Sequence, residues 1–460
     1  MSASVLPRSA GARPDYDLIV VGAGWAGLAA AIQACDKGAR VALIDAAPQP
    51  GGRARRQKID LGLGPMELDN GQHLLIGAYR QTLELMRRIG VDPEVVLNRE
   101  RLQMRDTGGL HLRAAPLPAP WHLAWGMLTS TGLSIRDRLA LLRFMTRLRL
   151  ERWQARPAET VSSMLTRMRQ PERLCSRLWE PLCISALNTH PQQACARTFA
   201  QVLKESLGGS RSASDFLLPK TTLSACLPDP ALDWLGARGV ALHLRTPVRT
   251  VTRASSPGGC WRVELNDQAM TTSTVILACG IASTQRLLAT LPEAARSEVI
   301  TDLDAFKHEP IATIWTAWPS SRWRPIPSPL MFTWPARNAR LADWLFDRGE
   351  SRLHRIGAIV ISLASESGAA FEPGEALARA TAICAAQGLP APSHARAIIE
   401  KRATFICSAG RAILHQGDQG LLPGLWIAGD YTEADLPATL ESAVQSGIRA
   451  GSLAAAFVDH

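Results

Sequence analysis

Two hydrophobic periods alternate along this chain. Leu18-Ile19-Val20-Val21 is an apolar run of strand length; it ends in Gly22-Ala23-Gly24-Trp25-Ala26-Gly27, and the alanine-rich stretch from Leu28 to Lys37 behind it reads as a helix. A second apolar strand closes on Asp45. The strand pattern returns far downstream at Ala241 to Leu244, Pro247 to Val251, Cys260 to Leu265 and Thr274 to Gly280, with turn chemistry at Pro228-Asp229-Pro230 and Ser255-Ser256-Pro257-Gly258-Gly259. It returns once more as Gly424-Leu425-Trp426-Ile427-Ala428-Gly429-Asp430, ahead of an alanine-rich helix over Leu440 to Val458. The stretches between are different. Residues 81 to 215 are helix-like, rich in Leu and Arg, with breaks at Pro157, Pro171, Pro181 and Pro191. Residues 291 to 415 alternate apolar runs such as Ala358 to Leu363 with alanine-rich helical stretches, the pattern of a mixed sheet carrying helices. The prediction is an α/β chain of two domains. A Rossmann-like dinucleotide-binding domain is assembled from the discontinuous segments 15–80, 216–290 and 416–460, and an α+β substrate domain comes from 81–215 and 291–415.

The order strand, glycine turn, helix, strand, acidic terminus has a physical purpose. Gly22 permits the tight turn, Gly24 lets the backbone approach a pyrophosphate, and Gly27 lets helix and strand pack closely. The helix N-terminus then turns unpaired N–H groups and the positive end of its dipole toward the phosphates. Asp45 stands about 20 residues on, where a carboxylate accepts hydrogen bonds from a ribose hydroxyl. The motif alone leaves NAD and FAD equally open.

Composition narrows the function by exclusion. Hydrophobic residues make up 46% and charged residues 20%, as in ordinary globular proteins. The nine cysteines are scattered, with no Cys-x-x-Cys and no Cys/His cluster, which predicts a reducing compartment and no metal. The first 14 residues carry Arg8 and Arg13 but no apolar signal-peptide core. No stretch approaches the roughly 20 apolar residues of a spanning helix, so a cytoplasmic chain is expected, peripheral on the inner face of a membrane. Net charge is +10, nearly all from arginine, but the arginines are spread out and no nucleic-acid motif accompanies them, which argues against a nucleic-acid partner. Thirteen of the aromatics are Trp and only three are Tyr. Trp315, Trp318, Trp323, Trp334 and Trp344 fall close together, and Trp121 and Trp125 sit in the proline-broken apolar stretch Pro116 to Leu128. Tryptophan in such numbers suits the wall of a large apolar pocket, a seat at a bilayer surface, or ordinary core packing.

Four separated motifs carry a resemblance. Val20 to Ala31 with Asp45, Gly51-Gly52-Arg53-Ala54, Leu68-Asp69-Asn70-Gly71-Gln72-His73, and Gly429-Asp430 with Pro437 to Ala443 resemble the FAD-dependent amine oxidase and phytoene desaturase superfamily in order and spacing over almost the whole chain. Leu68 to His73 together with Trp179 to Thr189 is similar to the squalene-associated branch, the hydroxysqualene dehydroxylases of bacterial squalene and hopanoid synthesis. The resemblance implies FAD, with Gly22, Gly24, Ala26 and Gly27 at the pyrophosphate, Asp45 at the adenosine ribose, and Gly52 and Arg53 toward the phosphates and flavin. It implies Gly71 and Gln72 beside the cofactor, Val248 at the adenine, Gly429 and Asp430 at the ribityl or phosphate region, and Thr439 and Leu440 opening a helix onto the flavin's N1 and O2. Asp45 departs from the Glu usual in these flavoproteins.

The implied reaction reduces an apolar isoprenoid, hydroxysqualene, to squalene with loss of water and hydride from FADH2. A general acid is then needed, and His73, Asp69, Glu433 and Asp435 are the candidates beside the motifs. The same resemblance admits a polyene desaturase running the flavin in the opposite direction. An amine oxidase is weaker, because its tyrosine cage is hard to build from three Tyr. Prenyl-chain carriers of the dissociation-inhibitor type share the fold without flavin, but Arg53, Asp430 and Thr439-Leu440 favour a flavin binder. No electron donor is named by the sequence.

Overall fold

The computed structural model describes residues 14–253, 260–292, 302–322, 328–334, 340, 342–351, 353–363, 372–411, 414 and 416–458. The expected turn at Ser255 to Gly259 and Trp323 lie outside them.

Strands and helices are numbered along the chain. The first sheet is built on β1 (Tyr16–Val21), whose Leu18, Ile19 and Val20 are fully buried. Its order is β10 (Ala241–His243), β2 (Val41–Ile44), β1, β13 (Ala269–Leu277), β12 (Trp261–Glu264), β11 (Thr250–Arg253). β13 is the organising strand. It runs parallel to β1 from Tyr16↔Thr272 to Val21↔Leu277. On its other edge it pairs first with β12, antiparallel, and then with β19 (Leu425–Ile427), parallel. The C-terminal ends of β1, β13 and β19 therefore emerge together, which is where open α/β sheets bind ligands.

Two helices cover that edge. α1 (Trp25–Asp36) follows the glycine turn, and α8 (Leu440–Val458) lies against it. The contact is backbone to backbone: a Cβ on Gly447 would stand 2.1 Å from the Ala26 carbonyl oxygen, and one on Gly451 would stand 2.5 Å from that of Ala30. Small residues on both sides thus bring the two helix N-termini to the same place.

The second sheet has the order β18 (His394–Phe405), β14 (His308–Pro319), β17 (His354–Ile361), β16 (Trp344–Ser351), β15 (Leu330–Met331), β7 (Gln103–Asp106), β8 (His111–Arg113). It is antiparallel except where β15 runs parallel to β7. Strand alternation divides β14 between two environments: Ala312 and Ile314 pack with Ala376, Ala380 and Ile383 of α7 (Ala376–Ala386), whereas Ile311 and Thr313 face the cavity described below. A ribbon of β3 (Arg56–Asp60) and β4 (Pro65–Asp69) and a small sheet β5 (Leu75–Ile76), β9 (Phe216–Pro219), β6 (Leu97–Glu100) complete the strands among the described residues. The small sheet joins segments from both sides of the expected boundaries at 80/81 and 215/216.

The architecture is α/β, with a Rossmann-like sheet drawn from separated segments and a second, mixed sheet. Several local expectations give way. β6, β7 and β8 interrupt the stretch read as helical. Pro181 does not end the helical run: it stands inside a continuous run from Glu172, just after a π-helical turn at Cys175–Trp179 that locally changes the hydrogen-bond register ahead of α5 (Glu180–Leu187). Pro228-Asp229-Pro230 opens α6 (Pro228–Gly236) instead of forming a turn, because a missing N–H in a first turn has no intrahelical partner to lose. The strand expected over Pro247 to Val251 is shifted to Thr250–Arg253. The nine cysteines are free thiols. Among the described residues no helix is long and apolar enough to cross a membrane.

Candidate active site

A cavity of about 1090 Å³ is lined from both sheets and from the helix N-termini. Its polar end is the glycine cradle. Gly22 has φ +114°, and a Cβ there would stand 2.5 Å from the Ala278 carbonyl oxygen; one on Gly27 would stand 1.7 Å from that of Gly22. These two glycines serve the close packing of strand, turn and helix, and Gly27 is outside the cavity lining. Gly24 is different: beyond its Cβ position the nearest heavy atom, the Cα of Gly52, is 4.0 Å away. Two glycine turns thus face each other across open backbone. The first helical bond of α1 runs from Leu28 N–H to Gly24, so the N–H groups of Trp25, Ala26 and Gly27 have no acceptor within the helix. The site fits a pyrophosphate.

The remaining polar groups continue the cradle. Asp45 accepts from the Ala23 N–H (2.6 Å) and the Ala47 N–H (2.7 Å), one bond per oxygen, and each oxygen keeps a lone pair for a ribose diol. Arg53 and Asp430, each expected to meet the cofactor separately, are paired with each other at 2.6 Å, and Arg53 donates a second bond to the Ala403 carbonyl (2.8 Å). The pair ties the turn after β2 to β18 and to the segment after β19. Gly429 leads into it, its N–H donating to Ser446 Oγ at 3.0 Å. Val248 lines the cavity with its carbonyl taken by the Arg286 guanidinium, a lining residue the sequence reading missed.

At the start of α8, Thr439 and Ser442 cap each other: the Ser442 N–H donates to Thr439 Oγ1 (3.2 Å) and the Thr439 N–H to Ser442 Oγ (3.0 Å). The N–H groups of Leu440 and Glu441 are left at the helix's positive end, on the cavity wall. The Glu441 side chain turns away and accepts from the N–H groups of Gln81 and Thr82 and from the Thr82 hydroxyl. It thereby caps α2 (Arg80–Arg88) from another helix. Pairing at such a sequence distance leaves no local signal, and this cap too was missed.

Gly71, Gln72 and His73 stand on the wall between the cradle and the second sheet. The Gln72 N–H donates to Thr313 Oγ1 (3.2 Å), and its side-chain Nε2 donates to the His73 carbonyl. Its Oε1 is buried without a partner, an acceptor that a ligand N–H or O–H can satisfy. His73 Nδ1 lies 2.8 Å from the Gly71 carbonyl and must be the donor there, which leaves Nε2 bare in the neutral ring. Burial lowers its pKa against the opposing pull of that hydrogen bond, and the positive charges of Arg53 and Arg348 lower it further.

The other acid candidates fare differently. Asp69 is not on the cavity: it is buried at the end of β4, accepts from the Leu223 N–H at 2.8 Å, and burial pushes its carboxyl up to about 6. Asp435 lines the cavity but is half exposed and paired with Arg197. Glu433 lines it too, and is paired with Arg449 at 2.8 Å.

Away from the cradle the wall turns apolar, through Trp179 and Trp344 to Leu102, Met104, Leu123, Met127 and Leu141. The tryptophans thus divide: Trp344 lines the cavity, Trp315 and Trp318 are core, and Trp121 and Trp125 face outward. The Tyr431 hydroxyl is tied to Thr284 and to the Cys279 carbonyl, so it is not free to form a cage over a ligand.

Known proteins agree with this geometry. The chain is 26% identical over 447 residues to the hydroxysqualene dehydroxylase of Zymomonas mobilis subsp. mobilis, across 95% of this chain and 98% of that one. It is 26% identical over 331 residues to a probable zeta-carotene desaturase of Synechococcus elongatus, across 64% of each. Among solved structures, cyclohexylamine oxidase from Brevibacterium oxydans superposes with a TM-score of 0.68 at 17% identity, over 97% of this chain and 100% of that one, a likeness of fold. The flavin containing amine oxidoreductase family matches residues 25–360, from the start of α1 into β17. A glycine cradle, two converging helix N-termini and that match together show that the chain belongs to the flavin-containing amine oxidoreductase family and is an FAD-dependent oxidoreductase.

Proposed function

We propose that this chain reduces hydroxysqualene to squalene, breaking an allylic C–O bond with loss of water. The observation that carries the reading is the shape of the cavity: one continuous space that begins at a dinucleotide cradle and ends in a wall of Leu, Met and Trp. A substrate with a long hydrocarbon body and a single polar group fits it. The end-to-end coverage of the dehydroxylase relative supports it as well. FAD would be held by Gly22, Gly24, Ala26, Asp45, Gly52, Arg53, Val248, Gly429, Asp430, Thr439 and Leu440, and when reduced it supplies a hydride.

The chain's own work is to deliver a proton and exclude water. Hydroxide is a prohibitive leaving group, so the oxygen must be protonated as the C–O bond breaks; the proton and oxygen leave as water. His73 Nε2, on the cavity wall beside the Gly71-Gln72 turn, has a free position to carry that proton. The apolar wall keeps bulk water from an allylic carbon that has lost its oxygen. Thr439 and Leu440 set the positive end of α8 on the cavity wall, where it would stabilise negative charge on a bound flavin ring. Because the substrate belongs to the hydrocarbon phase, this reading also places the protein on the inner face of a membrane.

A second reading keeps the cavity and reverses the chemistry. A neutral Nε2 is a proton acceptor, which is what removal of hydrogen from a polyene would use, and the desaturase relative supports it. Two anaerobic incubations separate them: reduced holoenzyme with hydroxysqualene, and oxidised holoenzyme with squalene or phytoene. Squalene formed in the first with no product in the second is the expected result; desaturation in the second with no squalene in the first overturns the proposal.

A further inference from the structure

The outer face of the cavity's apolar end is itself apolar. Ten large apolar side chains stand exposed among the described residues, and six of them, Leu117, Trp121, Trp125, Leu128, Ile135 and Leu139, come from one short stretch. Trp121, Trp125 and Leu128 fall at i, i+4 and i+7 of α3 (Trp121–Thr129), and Ile135 and Leu139 at i and i+4 of α4 (Ile135–Leu150), so each set forms a stripe on one helix face. The stripes meet where Arg138 donates to the Leu128 carbonyl at 3.0 Å. Trp121 and Trp125 are 64% and 56% exposed, unusual for the largest apolar side chain. Exposed apolar clusters of this kind mark an interaction surface.

Charge identifies the partner. Between residues 113 and 150 there are six arginines and a single acidic residue, Asp137; Arg147 is paired with Glu151 at 2.8 Å, which leaves five arginines as the charge of this stretch. Asp137 is buried in the cap of α4, bonded to Ser134, and presents no negative charge outward. A tryptophan-bearing apolar lip ringed by arginine matches an anionic bilayer surface, with indole rings at headgroup depth and guanidinium groups on phosphates.

The same helices line the cavity. Leu123 and Met127 of α3 and Leu141 of α4 are on its wall, so a single helix, about 10 Å thick, separates the apolar end of the cavity from the exposed stripe. We propose that the α3–α4 lip docks on an anionic membrane and that the isoprenoid substrate passes from the bilayer into the cavity on that side. The substrate half of this rests on the function proposed above; the docking half does not.

The FAD-loaded protein is sedimented with phosphatidylcholine vesicles with and without phosphatidylglycerol, alongside the variant Trp121→Ser/Trp125→Ser. The wild type should sediment with the anionic vesicles, binding should fall at least tenfold in the variant and weaken in high salt, and flavin absorbance should be unchanged. Turnover of hydroxysqualene dispersed in detergent should survive in the variant while turnover of vesicle-embedded hydroxysqualene falls. A wild type that stays in the supernatant, a variant that sediments equally, or a wild-type dimer that dissociates in the variant overturns the docking surface. Vesicle binding without any turnover of hydroxysqualene leaves the surface standing and removes the reaction.

Discussion

Replacing Glu441 by Ala tests whether the cofactor end of the cavity is held by a cap between two distant helices. Its carboxylate takes the N–H groups of Gln81 (3.0 Å) and Thr82 (2.9 Å) and the Thr82 hydroxyl (2.7 Å), and Thr82 is fully buried. In the Ala variant the Gln81 amide can turn to water, but the Thr82 amide and hydroxyl lose a charged acceptor in a place water does not reach. An unsatisfied buried donor costs about 1–3 kcal/mol, which puts the expected loss near 3 kcal/mol and, at ~2.1 cal/mol/K of unfolding entropy per residue over the 460 residues, a fall in Tm of about 3 °C. Because Glu441 is the second residue of α8, the loss should also loosen the helix start that faces the cofactor, and FAD affinity should fall with stability. Thermal unfolding of apo and holo protein, together with FAD titration by fluorescence quenching, measures both. Glu441→Gln retains an oxygen for one donor and should recover part of each. An apo Tm within 1 °C of wild type, or a Gln variant as damaged as Ala, would refute the reasoning.

Two further outcomes follow from the titratable groups near the site. If His73 delivers the proton, only its protonated fraction is active, and its lowered pKa means that kcat/KM should decline as pH rises through a value below the ordinary 6.5. His73→Ala should abolish turnover with FAD still bound, and full activity in that variant removes His73 from the reaction. Asp69, raised from 3.8 to about 6 by burial, favours the folded state when protonated, so its contribution is present at low pH and lost as pH rises through about 6. The stability difference between wild type and Asp69→Asn should therefore shift by about 2 kcal/mol in favour of Asn between pH 4.5 and 7.5 in urea unfolding; no shift would mean that the carboxyl is not held out of water.

The cradle was legible because its constraints are local. The φ of +114° at Gly22 and the packing of Gly27 on the Gly22 carbonyl are set within the β1–α1 segment and are stated in its sequence pattern, whereas the approach of Gly22 to Ala278 and of Gly24 to Gly52 is not. What was not legible depends on long-range pairing. Pro228 read as a turn because a proline in a first turn and a proline at a chain reversal look alike until the flanking helix is known, and Pro181 read as a break because the π-helical turn ahead of it has no local sequence signal. Asp69 read as a cavity residue from its neighbours Asn70 to His73, but the chain reaches the cavity only at Asn70, and Asp69 closes β4 bonded to Leu223. Arg53 and Asp430 were each assigned to the ligand, and only the fold shows that they bond to one another.

The packing of Gly447 and Gly451 on α1 has a consequence for synthesis. The turn at Gly24 leaves the ribosome early, but Thr439 and the strand Leu425–Ile427 that complete the same site follow about 400 residues later, some 20 to 80 s at ordinary elongation rates. Until then α1 presents the bare Ala26 and Ala30 backbone to which α8 belongs. The two halves of the cradle can therefore close on one another only once the strand Leu425–Ile427 and the helix that carries Gly447 and Gly451 have been made.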